Sequence, residues 1–203
     1  MNYKPENLVP GACYHIYNRG NNGGSIFFEH ANYYYFLKLY QQYISPIADT
    51  LAWCLLKNHL HLLVSLKALE EIEVRKLRYS TVENPRTVNA ARQFSHLFNA
   101  YTQAINKRYS RTGSLFENPF RRKSIEDTYL VEMIYYIHTK PLTQGCANTV
   151  SDYRWSSYNS IRYGKTALLN CEAVFSAFGG HREFIDFHAK QQNLTKITKF
   201  IIE

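Results

Sequence analysis

Residues 12–18, Ala12-Cys13-Tyr14-His15-Ile16-Tyr17-Asn18, alternate in polarity and are rich in strand formers, which predicts a β-strand. The run Asn18-Arg19-Gly20-Asn21-Asn22-Gly23-Gly24 breaks it with turn residues. Residues 30–44 carry apolar and aromatic side chains at helical spacing and stop before Pro46. Residues 50–56 form a continuous apolar run, the mark of a buried strand. Lys57-Asn58 then reads as a turn and residues 59–67 as the following strand. Residues 68–89 are polar, charged and poorly periodic, and predict a long mobile loop holding at most a short helix. A second amphipathic helix follows over residues 90–109, with Phe94, Leu97, Phe98, Tyr101 and Ile105 on one side and Arg111-Thr112-Gly113 at its end. Residues 120–126 predict a short strand. Asp127-Thr128 is placed to cap a helix over residues 129–139, which Pro141 should stop.

The predicted order is strand, helix, strand, strand, helix, strand, then a further helix. That is the ferredoxin-like split βαβ arrangement (βαββαβ) of the α+β class, with an added helix behind it. One antiparallel sheet should carry two helices on one face and leave the other face free. Residues 1–145 are expected to form the principal domain. Residues 146–203 are expected to form a C-terminal extension, with Trp155-Ser156-Ser157-Tyr158 and weak helical segments near 171–178 and 182–191. There are no internal repeats and no low-complexity tract.

Composition narrows the class. A chain of 203 residues with 45% hydrophobic content supports one sizeable core. No apolar run approaches the length needed to cross a bilayer, and the first residues lack the apolar stretch of a signal peptide. Cys13, Cys54, Cys146 and Cys171 show neither C-x-x-C pairing nor zinc-ligand spacing, which suggests reduced thiols and a cytoplasmic protein. The net charge of +8 and pI near 9.3 favour an anionic partner. Aromatic residues, 15% of the chain, interleave with the basic ones, a combination that suits unpaired nucleic-acid bases, although most of these rings should be core.

The densest chemical signal is Lys57-Asn58-His59-Leu60-His61-Leu62-Leu63-Val64. Alternation along a strand points His59 and His61 to one side, where two imidazoles can share a divalent metal. Taken alone, such a pair is more often a solvent-facing side of a strand than a metal site. A nucleotide-hydrolysing histidine triad needs a third histidine two positions away, and Lys57 and Leu63 stand there.

Five segments extend the signal. They are Tyr14-His15-Ile16-Tyr17-Asn18-Arg19-Gly20; Asn58-His59-Leu60-His61-Leu62-Leu63-Val64; Arg111-Thr112-Gly113-Ser114-Leu115-Phe116 with Phe120-Arg121-Arg122-Lys123-Ser124; Tyr135-Tyr136-Ile137-His138; and Trp155-Ser156-Ser157-Tyr158. In this order and spacing the chain resembles the HUH single-tyrosine transposases, and most of all the REP-associated tyrosine transposases and their bacterial relatives. The resemblance covers roughly residues 10 to 160. It implies that His59 and His61 bind Mg²⁺ or Mn²⁺, which acts as a Lewis acid on a scissile phosphate. It also implies a tyrosine that attacks single-stranded hairpin DNA, becomes linked to the 5′ phosphate and releases a 3′ hydroxyl, so that a second 3′ hydroxyl can reseal the strand.

Matching the family's Tyr-Ile-His-x-Asn-Pro segment onto Tyr136-Ile137-His138-Thr139-Lys140-Pro141 makes Tyr136 the nucleophile. Tyr135, about 100° round the helix, is the fallback. Lys140 stands where the family places an Asn or Gln that completes the metal site, and an ammonium group has no acceptor lone pair. Water, phosphate or another side chain then replaces that ligand, with Gln144 as a candidate if the chain folds back. Otherwise Lys140 contacts DNA phosphate, or the protein binds DNA and cleaves poorly. Arg19, Arg108, Arg111, Arg121, Arg122 and Lys123 are the expected phosphate contacts. Arg75, Lys76, Arg78 and Arg86 lie in a loop that could close over DNA. The primary expectation is thus a metal-dependent strand transferase acting on hairpin ends, as a monomer or homodimer. Its rivals are a decayed or domesticated hairpin binder and a metallo-phosphohydrolase of small nucleotides.

Overall fold

A computed structural model describes residues 5–77, 88–164 and 167–201. Four strands form one sheet: β1 (Cys13–Arg19), β2 (Ala48–Leu55), β3 (His59–Leu66) and β4 (Arg121–Ile125), in the order β2-β3-β1-β4 with every neighbour antiparallel. Helix α1 (His30–Tyr43) joins β1 to β2, and α2 (Ala90–Arg108) joins β3 to β4. This is the ferredoxin-like order expected from the element pattern, and each of these six elements begins and ends within two residues of its predicted bounds. Between β3 and α2 the described residues form two single 3₁₀ turns, Leu69–Glu71 and Val74–Lys76. Arg78 and Arg86 lie outside the described residues.

The register assigns the two faces. Leu60, Leu62 and Val64 of β3 pair with Asn18, Ile16 and Tyr14 of β1 and with Leu55, Trp53 and Thr50 of β2. Helix α1 lies on this face, where the Tyr40 hydroxyl meets Thr50 Oγ1 at 2.7 Å. Helix α2 packs beside α1, burying Phe94, Leu97, Phe98, Tyr101 and Ile105 as its periodicity predicts. The opposite face carries His59, His61 and Leu63 together with His15, Tyr17 and Arg19.

That opposite face is not free, contrary to expectation. Helix α3 (Leu130–Thr143) packs across it against β2 and β3, so His59 is buried and His61 has no exposure at all. The sheet therefore sits between helical layers. The physical reason lies in α3 itself, in which every residue from Met133 to Pro141 is buried. Met133 to Ile137, five consecutive apolar or aromatic residues stepping 100° each, put apolar surface all round this part of the helix, which needs cover on every side.

Three further predictions need correction. Pro141 does not stop α3, which continues to Thr143. Only the last turn lies beyond the proline, so the helix loses one hydrogen bond near its end and the Gln144 and Cys146 amides still close on the carbonyls of Lys140 and Pro141. Asp127 and Thr128 do not cap α3 with their side chains; residues Asp127–Tyr129 make a 3₁₀ turn that feeds into it. The extension holds α4 (Tyr158–Arg162), a short helix the pattern did not reveal, before α5 (Cys171–Phe178), α6 (His181–His188) and a 3₁₀ segment, Thr195–Phe200.

The extension also completes the sheet. The Leu55 amide donates to the Trp155 carbonyl and the Ser157 amide to the Trp53 carbonyl, while Cys54 and Ser156 form a bridge. Residues 155–157 thereby cover the outer edge of β2 at Trp53–Leu55, and the Asn170 amide donates to the Thr50 carbonyl, so backbone groups that would otherwise invite foreign pairing are met. At the turn of the β2–β3 hairpin, Gly20 donates to the Asn58 carbonyl at 2.7 Å, tying the first loop to the residue before His59. A Cβ on Gly20 would fall 1.9 Å from the Gly24 carbonyl oxygen, so only glycine permits that approach.

Candidate active site

The site is built on the two central strands. His61 on β3 faces Tyr17 on β1, and His59 faces Arg19, one strand step nearer the rim. The His59 and His61 ring centroids are 5.2 Å apart with planes at 85°, a separation that two imidazoles sharing one ion can adopt. The Tyr17 ring lies 5.0 Å from His61 and 5.9 Å from His59, buttressing both.

Helix α3 delivers Tyr136 to this pair. Its ring meets His61 edge-on at 5.7 Å and His15 at 6.0 Å, and it is buried. Tyr135 turns away, as the 100° step requires. It packs against Phe187 and His188 of α6, and its hydroxyl accepts from the Gln192 amide at 3.4 Å. Lys140 lies one turn beyond Tyr136, buried, with its ammonium 5.1 Å from the tyrosine ring centroid. Gln144 is exposed past the end of α3, about 12 Å along the axis from Tyr136, and the chain does not fold back to bring it in.

His15 joins the site although the sequence assigned it no role. Its Nε2 lies 3.0 Å from His61 Nδ1, and its Nδ1 lies 3.3 Å from the Phe200 carbonyl oxygen. His61 Nε2 is buried with no hydrogen-bond partner among the described residues. Burial, reinforced by the nearby His15, Lys140 and His59, holds the His61 imidazole well below the usual histidine range, so it is neutral. An orphaned lone pair of this kind fits a metal ligand. Among the described residues, however, no group of three His, Cys, Asp or Glu side chains comes together to enclose an ion. The chain offers two imidazole donors, and the Lys140 charge stands close to them.

The six candidate phosphate contacts do not form one cluster. Arg121 and Lys123 pair with Tyr17 and His15, on the histidine face, and exposed Arg19 stands beside His59. Arg122 points to the other face, against the Phe120 ring and the Glu6 carbonyl. Arg108 pairs with Glu29 at the start of α1, at 2.5 Å, and Arg111 covers the Phe28 ring. Lys123 forms an ion pair with Glu6 at 2.6 Å, and Lys76 pairs with Glu73.

No protein-family model matches the sequence, and no curated protein sequence matches it. Among solved structures, a REP-associated tyrosine transposase bound to a REP hairpin is similar over 84% of this chain and 90% of that one, with a TM-score of 0.58 and 13% identity. The fold is that of a REP-associated tyrosine transposase. A bacterial tRNA(His) guanylyltransferase-like protein in complex with GTP overlaps 73% of the chain at a TM-score of 0.41 and 9% identity, which is too low to argue from.

Within this transposase fold a second polar cluster binds the extension to α3. Ser157 Oγ accepts from the Trp53 amide and lies 2.8 Å from His138 Nε2; His138 Nδ1 lies 2.9 Å from His188 Nε2; His188 Nδ1 lies 2.8 Å from the Phe184 carbonyl. Sequence reading held His138 only as part of the tyrosine motif. Its partners are 19 and 50 residues away, and no local pattern points to them. Among the described residues no helix is long and apolar enough to cross a membrane.

Proposed function

We propose that this protein binds single-stranded hairpin DNA and cleaves and rejoins it through Tyr136. The observation that carries the reading is the edge-on placement of Tyr136 against His61 and His15, on the sheet face that also presents His59. The similar transposase structure contains a REP hairpin, which supports a hairpin as the substrate class. Tyr136 Oη attacks the scissile phosphorus. The bond from phosphorus to the 3′ oxygen breaks, a phosphotyrosine bond to the 5′ side forms, and the tyrosine proton ends on the released 3′ oxygen. The phosphotyrosine conserves the energy of the broken ester, so the reverse attack by another 3′ hydroxyl rejoins the strand.

His59 and His61 are the residues to hold a divalent ion, Mg²⁺ or Mn²⁺. When bound, it supplies Lewis-acid stabilisation of charge on the phosphate. Its remaining ligands would have to be water and phosphate oxygens, as suits these hard cations. On the histidine face, exposed Arg19 is the first residue to meet backbone phosphates; Arg121 and Lys123 lie on the same face but are paired with Glu117 and Glu6.

A covalent-capture assay tests the reading. Labelled hairpin DNA with Mg²⁺ or Mn²⁺ should yield a slow-migrating denaturing-gel adduct with the native protein and with Tyr135→Phe. Tyr136→Phe and His61→Ala should give none while still shifting the hairpin in a native gel. An adduct with Tyr136→Phe would overturn the assignment. Retained hydrolysis of a small phosphodiester by that variant would favour the phosphohydrolase instead.

A second reading, a hairpin binder that cleaves weakly or not at all, draws on Lys140, whose buried ammonium stands one turn from the nucleophile. It predicts binding without an adduct in any divalent metal, and recovery of the adduct in Lys140→Asn.

A further inference from the structure

The Tyr-His-Ile strand motif and the Asn before the histidine pair have no part in the chemistry described so far, yet both touch the histidines. Two short hydrogen-bond relays run through them. In the first, the Phe200 carbonyl oxygen has no hydrogen to give, so His15 Nδ1 is the donor to it. His15 Nε2, its other ring nitrogen, then faces His61 Nδ1 at 3.0 Å as the acceptor, and His61 Nδ1 donates. The proton of a neutral His61 is thereby placed on Nδ1, and Nε2 carries the lone pair. A proton on Nε2 would instead be a buried donor without an acceptor among the described residues.

The second relay has the same polarity. Asn58 Nδ2 donates to the Gly23 carbonyl at 3.5 Å, which orients its amide oxygen toward His59 Nδ1 at 2.7 Å. An amide oxygen only accepts, so His59 Nδ1 donates and Nε2 is again the lone-pair nitrogen. Each relay starts at a backbone carbonyl, which fixes its direction, and ends on a histidine Nε2. Tyr17, packed against both rings, restrains their planes.

We infer that His15 and Asn58 are positioning residues that lock His61 and His59 in the tautomer offering Nε2 to the cation. The inference rests on the metal role proposed above for that pair. Outer partners of this kind fix ring orientation and raise ligand basicity, and their loss costs about 10- to 100-fold in metal affinity. They act through the ligands and touch no reacting atom.

The test uses the full chain with ¹⁵N-labelled histidine, free of metal. Ring ¹⁵N shifts should report Nε2 unprotonated in both His59 and His61. His15→Phe removes the acceptor for His61; its spectrum should show a mixture of tautomers, and its Mn²⁺ affinity, read by the electron-spin resonance of free Mn²⁺, should fall about 10- to 100-fold. His15→Gln, whose amide oxygen still accepts, should keep both properties near native. Should His15→Phe fail to fold, Asn58→Ala, on the half-buried turn, reports the same effect at His59. Protonated Nε2 in the native protein, or native Mn²⁺ affinity in folded His15→Phe or Asn58→Ala, would overturn the inference and leave the metal role standing. Tautomers as inferred, with no Mn²⁺ binding by the native protein, would overturn the metal role itself and the ligand assignment with it.

Discussion

At the scale of single residues, the buried Ser157–His138–His188 chain sets a pH response. Trp53 N–H donates to Ser157, Ser157 to His138, His138 to His188, and His188 to the Phe184 carbonyl, so every proton has one place and an added one has none. Burial lowers the His188 imidazole to about 4, against a partial offset from that carbonyl, and burial beside His188 holds His138 well below the usual range. Both groups are depressed, so the unfolded chain binds more protons and stability falls as pH falls. The His188 contribution is complete above about 6.5 and is lost toward pH 4, about 3 kcal/mol in all. Denaturant unfolding at pH 7.5 and 4.5 should show this loss, and His188→Leu should show a smaller one. None of this was legible locally. By contrast, matching the family's Tyr-Ile-His segment singles out Tyr136, and helix geometry adds that Tyr135 must face different neighbours.

At the scale of elements, strong periodicity was readable and partnership was not. The strands around His15 and His59 and the stripes of α1 and α2 stood out because alternation and helical spacing are local properties. Helix α3 was read too short because Pro141 was weighed as a stop, whereas a proline in the last turn costs little. Its place over the histidine face depends on cover needed by residues far from it in sequence. Residues 155–157 gave no strand signal, since one bridge and two backbone bonds require only an extended chain. Trp155 nevertheless anchors this segment, buried and stacked 4.4 Å from Tyr33. Trp155→Ala should therefore cost about 3–5 kcal/mol in equilibrium unfolding. A much smaller loss would mean that backbone pairing alone holds the β2 edge.

At the scale of the whole molecule, the candidate phosphate contacts divide between the two faces of the sheet, which composition does not reveal. Arg19 stands exposed beside the histidines, whereas Arg108 is paired with Glu29 behind the sheet. Arg19→Gln should weaken hairpin binding evenly across sequences and reduce the log–log salt slope by about one, with Arg108→Gln unchanged, as measured by fluorescence anisotropy over a salt series. Equal effects would move the DNA path off the histidine face. The edge cover has a consequence for synthesis. Trp53 and Ser157, joined across the rim of the sheet, are 104 positions apart. A growing polypeptide that has made all four strands still carries β2 with its outer backbone bare, so a ribosome stalled before Trp155 would display a chain primed to pair with its neighbours.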